Sequence, residues 1–562
     1  MLTASYVHGV SMTPLMGATV GALFDRTAER WPDNTALVVR HQNVRWTYRE
    51  LRREVDALAA GLLAVGLAPG DRLGIWSPNN AEWIVTQFAT AKAGVVLVNI
   101  NPAYRLPEVR YALTKTGCKA LVTAAAFKTS NYIEMLRELA PEIADCAPGK
   151  LKAARLPDLR VVACLSGGQG PGILDFADLP GMAGADERHR LAALAGELQF
   201  DDPINIQFTS GTTGAPKAAT LTHHNIVNNA FFVGETMELN ERDRLCIPVP
   251  MYHCFGMVLG TLACVAHGAA MVLTSEGFDP LAVLESVEAE RCTALHGVPT
   301  MFIAELDRPD FHRFDLSSLR TGVIAGAPCP IELMKRLITE MHLAEITIAY
   351  GMTETGPVSF ETSVHDPVER RVTTVGRVLP HTEVKIVDEK GRVVPPNTPG
   401  ELLTRGYCVM PGYWEDPERT AKAIDRAGWI RSGDIATLDE EGYCNIVGRL
   451  KDMVIRGGEN IFPREIEEFL YTHPAIEEVQ VFGVPDPKYG EEVCAWIKLH
   501  EGKRLSAEEV RSFCQGHIAH FKIPRYVKFV EAFPMTVTGK VQKYVMRERM
   551  AEELGVAEAK TA

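Results

Sequence analysis

The sequence predicts an α/β chain: a large N-terminal body of layered α/β subdomains, a β-rich subdomain behind it, and a small α+β unit at the C-terminus. Three observations carry this expectation. Helix-like and strand-like segments alternate over the first two-thirds of the chain, the pattern of parallel layers. Apolar strands there run into Gly- or Pro-containing loops, and beyond about Arg370 short strands replace the helices before the texture restarts after residue 449. At roughly 100–200 residues per domain, 562 residues supply about three or four units with ample core. The expected divisions are 1–449 for the body, with its β-rich part at about 370–449, and 450–562 for the C-terminal unit.

Each element has its own signal. Thr47 with Glu50 forms a capping box, and Leu51, Val55, Leu58, Leu62 and Val65 follow at helical spacing. Gly66 and Pro69-Gly70-Asp71 end that helix, residues 73–76 read as a buried strand, and Ser77-Pro78-Asn79-Asn80 caps the next helix ahead of a strand at 95–98. Strands at 292–295, 322–325 and 346–350 repeat the rhythm, and the carboxyl ends of such strands are where α/β sheets bind ligands. Short strands at 383–387 and 400–404 mark the β-rich part. Pro463 opens a helix carrying Ile466, Phe469 and Leu470, strands follow at 479–484 and 493–499, and 507–518 is expected to be helical. The Ala-rich stretch near 181–197 reads as a surface excursion.

Composition excludes several classes. With 58 basic and 71 acidic side chains the formal charge is −13, which argues against a dedicated nucleic-acid binder. The twelve cysteines contain no CxxC pair, so they read as reduced, mostly buried thiols, with neither a zinc site nor a disulfide framework. Residues 1–16 lack the features of a signal or transit peptide, and a cytoplasmic protein is expected. Residues 245–275 carry no Asp, Glu, Lys or Arg and are long enough to span a bilayer. Pro248, Pro250 and Gly268 instead divide them into a buried helix near 256–266 and a strand at 269–273, so no transmembrane segment is expected.

The strongest local motif is Thr209-Ser210-Gly211-Thr212-Thr213-Gly214-Ala215-Pro216-Lys217. Ile204, Ile206 and Phe208 alternate just before it, so the loop leaves a strand. Four hydroxyls and two glycines can wrap phosphate oxygens, and the lysine adds a point charge. It is not a Walker A loop, because Pro216 precedes Lys217 and strand-like residues 218–221 follow where that motif opens a helix. A hairpin loop gripping phosphate is expected; a solvated Gly/Thr turn is the plain alternative.

This segment resembles the phosphate loop of the ATP-dependent adenylate-forming (AMP-binding) enzymes, and further motifs of that superfamily follow in order. Tyr350-Gly351-Met352-Thr353-Glu354-Thr355-Gly356 is similar to its adenine and magnesium segment, Ser432-Gly433-Asp434 to its ribose segment, Gly448-Arg449-Leu450-Lys451-Asp452 to its hinge, and Thr538-Gly539-Lys540 to its C-terminal lysine motif. The likeness runs from about Thr47 to Arg547. Tyr252-His253-Cys254-Phe255-Gly256, Arg405-Gly406-Tyr407-Cys408-Val409-Met410, Gly457-Gly458-Glu459-Asn460-Ile461 and Phe521-Lys522-Ile523-Pro524 resemble the fatty-acyl-CoA synthetase branch, its medium-chain members above all.

The resemblance implies a synthetase in which a carboxylic acid attacks the α-phosphorus of ATP and CoA then displaces AMP. Two anions meet in the first step, so cationic screening is required. Lys540 is the expected catalytic cation, Glu354 a ligand for Mg²⁺ and Thr353 an α-phosphate donor; helix capping by Thr353 and Glu354 is compatible with both roles. Thr209, Ser210, Gly211, Thr212, Thr213, Gly214 and Lys217 are expected at the phosphates. Gly326, Ala327, Pro328, Tyr350, Gly351 and Met352 are expected at the adenine, and Asp434 and Arg449 at the ribose. Lys451 takes the hinge position, where many members carry Asp, and a mobile C-terminal lid would present Lys540 first and Gly457 and Gly458 to the pantetheine arm second.

His253, Phe255, Gly256, Gly297 and Val298, with Met352, are expected to wall the acyl group. His253 would gate or orient, since the acid has already lost its proton near neutral pH. The expected substrate is a medium-chain fatty acid. A short, branched, thioether or aryl acid, or transfer of the adenylate to a carrier protein, is the alternative, and a homodimer is left open.

Overall fold

The computed structural model describes residues 1–166, 170–209, 216–327, 329–457, 459–535 and 541–556. The body holds three sheets. The first runs, edge to edge, Leu174–Asp175, Val161–Cys164, Ala120–Thr123, Arg72–Trp76, Val96–Asn99, Pro203–Thr209, Lys217–Thr222 and Gly412–Tyr413. Its neighbours are parallel as far as Pro203–Thr209, and the last two pairings are antiparallel. The second runs Arg377–Val378, Val358–Glu361, Glu345–Gly351, Thr321–Ala325, Ala294–Leu295, Arg244–Cys246, Ala270–Leu273, Thr35–Val39 and Val44–Thr47, parallel through its centre and antiparallel at both edges.

One apolar core lies between these two sheets. It joins Ile75, Leu97 and Val122 of the first sheet to Leu37, Leu245 and Met271 of the second through helices Tyr48–Ala64, Ala81–Ala93 and His223–Thr236. The sequence signals act as expected. Thr47 accepts from the Glu50 amide while the Glu50 carboxylate accepts from the Thr47 amide at 2.8 Å. Asn80 caps the following helix by accepting from the Trp83 amide at 2.8 Å.

The uncharged run is part of this core. Phe255–Leu262 is a buried π-helical stretch that continues as the α-helix Ala263–His267; Gly268 stops it in the left-handed region (φ 74°), and the strand Ala270–Leu273 follows. The expected helix is therefore present with a widened first half. Among the described residues no helix is long and apolar enough to cross a membrane. All twelve cysteines are thiols outside any disulfide, ten of them buried.

The third sheet is antiparallel and runs Tyr6–His8, Thr382–Val387, Gly400–Gly406, Ile430–Leu438 and Cys444–Arg449. Two features of the β-rich part were not legible in sequence: its outer strand comes from the N-terminus, and Gly412–Tyr413 leaves it to join the first sheet. The helix Ala185–Glu197 buries Leu194, half-buries Leu191 and Glu187 and exposes its other residues, as a surface excursion should.

The C-terminal unit packs helix Pro463–Leu470 on the hairpin Ile476–Asp486 and Gly490–Leu499, with Tyr526–Phe529 parallel to the second of these strands. Its next helix ends at Cys514, four residues short of the expected 518, because Gln515 turns to extended backbone and Gly516 adopts φ 78°. The unit meets the body where Arg464 Nη1 donates to the Ile446 carbonyl at 2.7 Å and Phe462 lies against Gly448.

Gly61 gives a test of packing against propensity. It sits inside helix Tyr48–Ala64, where alanine is intrinsically better by about 1 kcal/mol. A Cβ there would stand 2.2 Å from the Leu179 carbonyl oxygen. G61A is expected to lower the thermal midpoint, with overpacking costing about 1–3 kcal/mol and outweighing propensity; a raised midpoint would show that residues 176–182 yield.

Candidate active site

The carboxyl ends of the two large sheets bring several of the predicted residues together. Thr209 ends one strand of an antiparallel hairpin whose return strand starts at Lys217, and these two residues are Cα partners. Ser210, Gly211, Thr212, Thr213 and Gly214 lie outside the described residues. Opposite, the strand Glu345–Gly351 ends in the 3₁₀ turn Thr353–Thr355. Gly351 is required, since a Cβ would fall 1.9 Å from the Pro357 carbonyl oxygen.

Glu354, only 5% exposed, sits between these elements. Its Oε1 accepts from the Tyr413 hydroxyl at 2.9 Å and from Thr209 Oγ1 at 3.3 Å, and it lies 3.8 Å from Lys217 Nζ. Lys217 donates to the Tyr413 oxygen at 2.9 Å and stands over the ring, 4.8 Å from its centroid. Burial, then the Glu354 charge, pushes the Tyr413 phenol up, so it stays protonated and can donate. Tyr413 was missed in sequence; what reveals it is the pairing Ala219↔Tyr413 and Thr220↔Gly412.

A second cluster lies at the same strand ends. Tyr350 donates to Asp434 Oδ2 at 2.5 Å, and Arg449 Nε stands 3.4 Å from Asp434 Oδ1. Asp434 and Arg449 are direct cross-strand partners. Burial raises the Asp434 pKa, and the Arg449 charge and the Tyr350 hydrogen bond oppose it. Gly326 (φ 88°) and Ala327 are exposed immediately after the strand Thr321–Ala325, and Pro328 lies outside the described residues.

The segment that carries the first of the apolar candidates adjoins Thr353. Cys254 Sγ is 3.7 Å from Thr353 Oγ1, which places the start of the π-helical stretch against the turn, and Met352 is the residue that caps that turn. His253 Nδ1 accepts from the Phe255 amide at 3.1 Å. Gly256 packs on backbone, because a Cβ there would meet the Pro250 carbonyl oxygen at 2.4 Å. Gly297 leaves room for the Phe302 ring, and Val298 is buried at the head of helix Pro299–Leu306.

His296, also missed in sequence, ties these walls together. Its Nδ1 accepts from the Val323 amide at 3.1 Å, its Nε2 donates to the Leu259 carbonyl at 3.0 Å, and its ring lies 5.3 Å from that of Phe255. Buried amides line the far side of the stretch. Gln207 donates to Asn205, Asn205 to Asn99, and Asn99 to the Tyr252 carbonyl at 2.9, 2.9 and 3.0 Å.

Lys451 is exposed in the short turn Leu450–Asp452, and Gly457 takes φ 59° beside Tyr489. Gly458 and Lys540 lie outside the described residues. Among the described residues no three His, Cys, Asp or Glu side chains cluster to hold a metal. Glu354 is a single hard-oxygen ligand in a polar niche, and such a donor fits a cation that arrives with further ligands of its own.

Residues 24–414 match the AMP-binding enzyme family model, and residues 465–540 match the AMP-binding enzyme C-terminal domain. The chain is 50% identical over 558 residues to the medium-chain acyl-CoA ligase ACSF2, mitochondrial, of Danio rerio, covering 99% of this chain and 92% of that protein. It is 49% identical over 542 residues to the putative acyl-CoA synthetase YngI of Bacillus subtilis (strain 168), covering 96% and 98%. The crystal structure of the anthranilate CoA ligase AuaEII in complex with anthranoyl-AMP superposes with a TM-score of 0.85 at 25% identity, covering 97% of this chain and 99% of that one. The mitochondrial relatives overturn the expectation of a cytoplasmic protein. Reduced thiols fit any reducing compartment, so composition could not separate the two.

The buried histidines set a pH dependence. Burial pushes His296 down to about 4 and His223 to about 3, from an ordinary 6.5. Both are neutral in the folded chain, and unfolding lets them protonate, so stability is intact above pH 6.5 and falls as the pH drops from there toward 4. The denaturant midpoint is expected to be lower at pH 5 than at pH 7.5, with H296N reducing that difference; equal midpoints would show that neither ring is held neutral by the fold.

Proposed function

The chain belongs to the AMP-binding enzyme family, and from that premise we propose that it is an AMP-forming acid–CoA ligase acting on a medium-chain fatty acid. The observation that carries this reading is the convergence of Thr209, Lys217 and Glu354 with Tyr350, Asp434 and Arg449, beside an apolar wall that begins at Cys254. One part suits phosphates, one a nucleoside and one an apolar acid. The relatives named as medium-chain acyl-CoA ligases and acyl-CoA synthetase support the substrate class.

In the first step a carboxylate oxygen of the acid bonds to the α-phosphorus of ATP, and the bond from that phosphorus to the bridging oxygen breaks to release pyrophosphate. Lys217 and the phosphate-loop hydroxyls neutralise and orient the phosphates, and Thr353 donates to the α-phosphate. Lys540 bridges the two reacting anions. Glu354 would hold Mg²⁺, which supplies Lewis-acid charge on the phosphate oxygens when it is bound.

Tyr350 gives the adenine a flat face, and Asp434, partnered by Arg449, accepts from the ribose hydroxyls. The fatty chain lies along Phe255 and Val298, shielded from water. In the second step the CoA thiolate attacks the acyl carbon and AMP leaves with the electron pair of the acyl–oxygen bond. Lys451 is the pivot between the steps, and Gly457 and Gly458 let the pantetheine arm pass close to backbone.

K540A, assayed on the two halves separately, tests the mechanism. Acid-dependent exchange of pyrophosphate into ATP should fall by about 10²–10³-fold, as for loss of one transition-state charge contact, while thioester formation from supplied acyl adenylate stays within about threefold. Unchanged exchange would remove Lys540 from the first step. AMP release with CoA across acids from acetate to palmitate, with benzoate beside them, tests the substrate: kcat/KM should peak at medium chain length, and a maximum at either end or on benzoate would reassign it.

A further inference from the structure

Tyr413 stands between the two charges of the phosphate site and touches both. Its oxygen accepts from Lys217 Nζ and its proton goes to Glu354 Oε1, each at 2.9 Å. The ammonium and carboxylate are thereby kept 3.8 Å apart, beyond a direct hydrogen bond. Glu354 is nearly buried, whereas the Lys217 side chain keeps about a third of its surface exposed. Given freedom to move, such a pair closes into direct contact, because desolvated opposite charges attract more strongly than solvated ones. A closed pair would occupy the carboxylate that is to face a cation and the ammonium that is to face phosphate.

The tyrosine cannot swing away easily. Its residue is paired to Ala219 across an antiparallel ladder, its amide donates to Thr420 Oγ1 at 3.0 Å, and the Trp414 amide donates to the Ala218 carbonyl at 2.8 Å. Tyr413 as a whole is only 6% exposed.

We propose that Tyr413 is a positioning residue whose hydroxyl holds Lys217 and Glu354 apart, in the geometry that admits the phosphates of ATP with their Mg²⁺. This rests on the reading of the site as an ATP site. Removing the oxygen lets the two charges pair directly, and the incoming Mg·ATP must then break that pair. The cost falls on Mg·ATP and not on the acid, and it requires the lysine.

The test is acid-dependent exchange of pyrophosphate into ATP, measured for the full chain and for Y413F, K217M and the double variant. Y413F is expected to raise the half-saturating Mg·ATP concentration about tenfold, the scale of one charge-assisted hydrogen bond, with the half-saturating acid concentration within about twofold. In the K217M background the same substitution should change Mg·ATP half-saturation by less than about twofold, since no ammonium remains to collapse onto Glu354. No shift in Mg·ATP, an equal shift for the acid, or an undiminished shift in the K217M background would overturn the assignment. Thermal melting checks folding, and Y413H, which also lacks the phenol oxygen, is read by the same ratios if Y413F melts below the assay temperature. Absence of exchange by the unaltered chain with every acid would refute the ATP-site reading itself, an outcome separate from failure of the Tyr413 assignment.

Discussion

The pairing of Gly412–Tyr413 with the strand Lys217–Thr222 fixes where the charges of the site can stand, because it locks one residue of the β-rich part onto the strand that carries the lysine. Much of the surrounding structure serves the same placement. Asn225 donates to the carbonyls of Tyr407 and Val409, and the Met410 amide donates to the Glu354 carbonyl at 3.0 Å, so the segment approaching Gly412 is held at several points. Asn229 clamps Val358 in both directions, at 2.7 and 3.0 Å, which anchors the strand that follows the Thr353–Thr355 turn. Buried amides that spend both donors and acceptors on backbone are costly to leave unmatched, so they specify one arrangement of these segments.

Local signals were legible because each acts over a few residues. The Thr47–Glu50 box, the Asn80 cap and the Gly268 stop each need only neighbours in sequence, and each is where the chain says it should be. The antiparallel pairing of Pro203–Thr209 with Lys217–Thr222 was legible for the same reason: alternating apolar residues before the Gly/Thr segment and strand-like residues after Lys217 point to two strands. Tyr413 and His296 were not legible, since their roles come from strands and loops far away in sequence. A tyrosine after Pro-Gly looks like any turn residue, and only the ladder to Ala219 gives it a partner.

The π-helical stretch shows a different limit. The sequence marked a buried helix near 256–266, but the period of the helix is set by what surrounds it. Gly256 presses on the Pro250 carbonyl, Gly260 on Ile247, and Thr261 Oγ1 lies 2.5 Å from the Met257 carbonyl and 2.8 Å from Gln87 Oε1. A buried hydroxyl and two tight glycine contacts, one on backbone and one on a side chain, act on one turn after another, and π-type widening recurs where helices border functional sites. The sheet order also escaped the sequence: a three-residue strand at Tyr6–His8 is too short to announce a partner at Thr382–Val387.

The last strand of the third sheet, Cys444–Arg449, is an edge strand, and the strand it pairs with among the described residues is the one that carries Asp434. The C-terminal unit is thus suspended from one side of a ladder whose other side holds the acidic partner of Tyr350. The Arg464 donation to Ile446 and the Phe462 contact at Gly448 fall on the same strand, so these attachments of the C-terminal unit gather on this one edge. Because coupling is reciprocal, a restraint placed on this strand from the Asp434 side would act on the unit attached to its other side, which makes the strand a lever arm between the two.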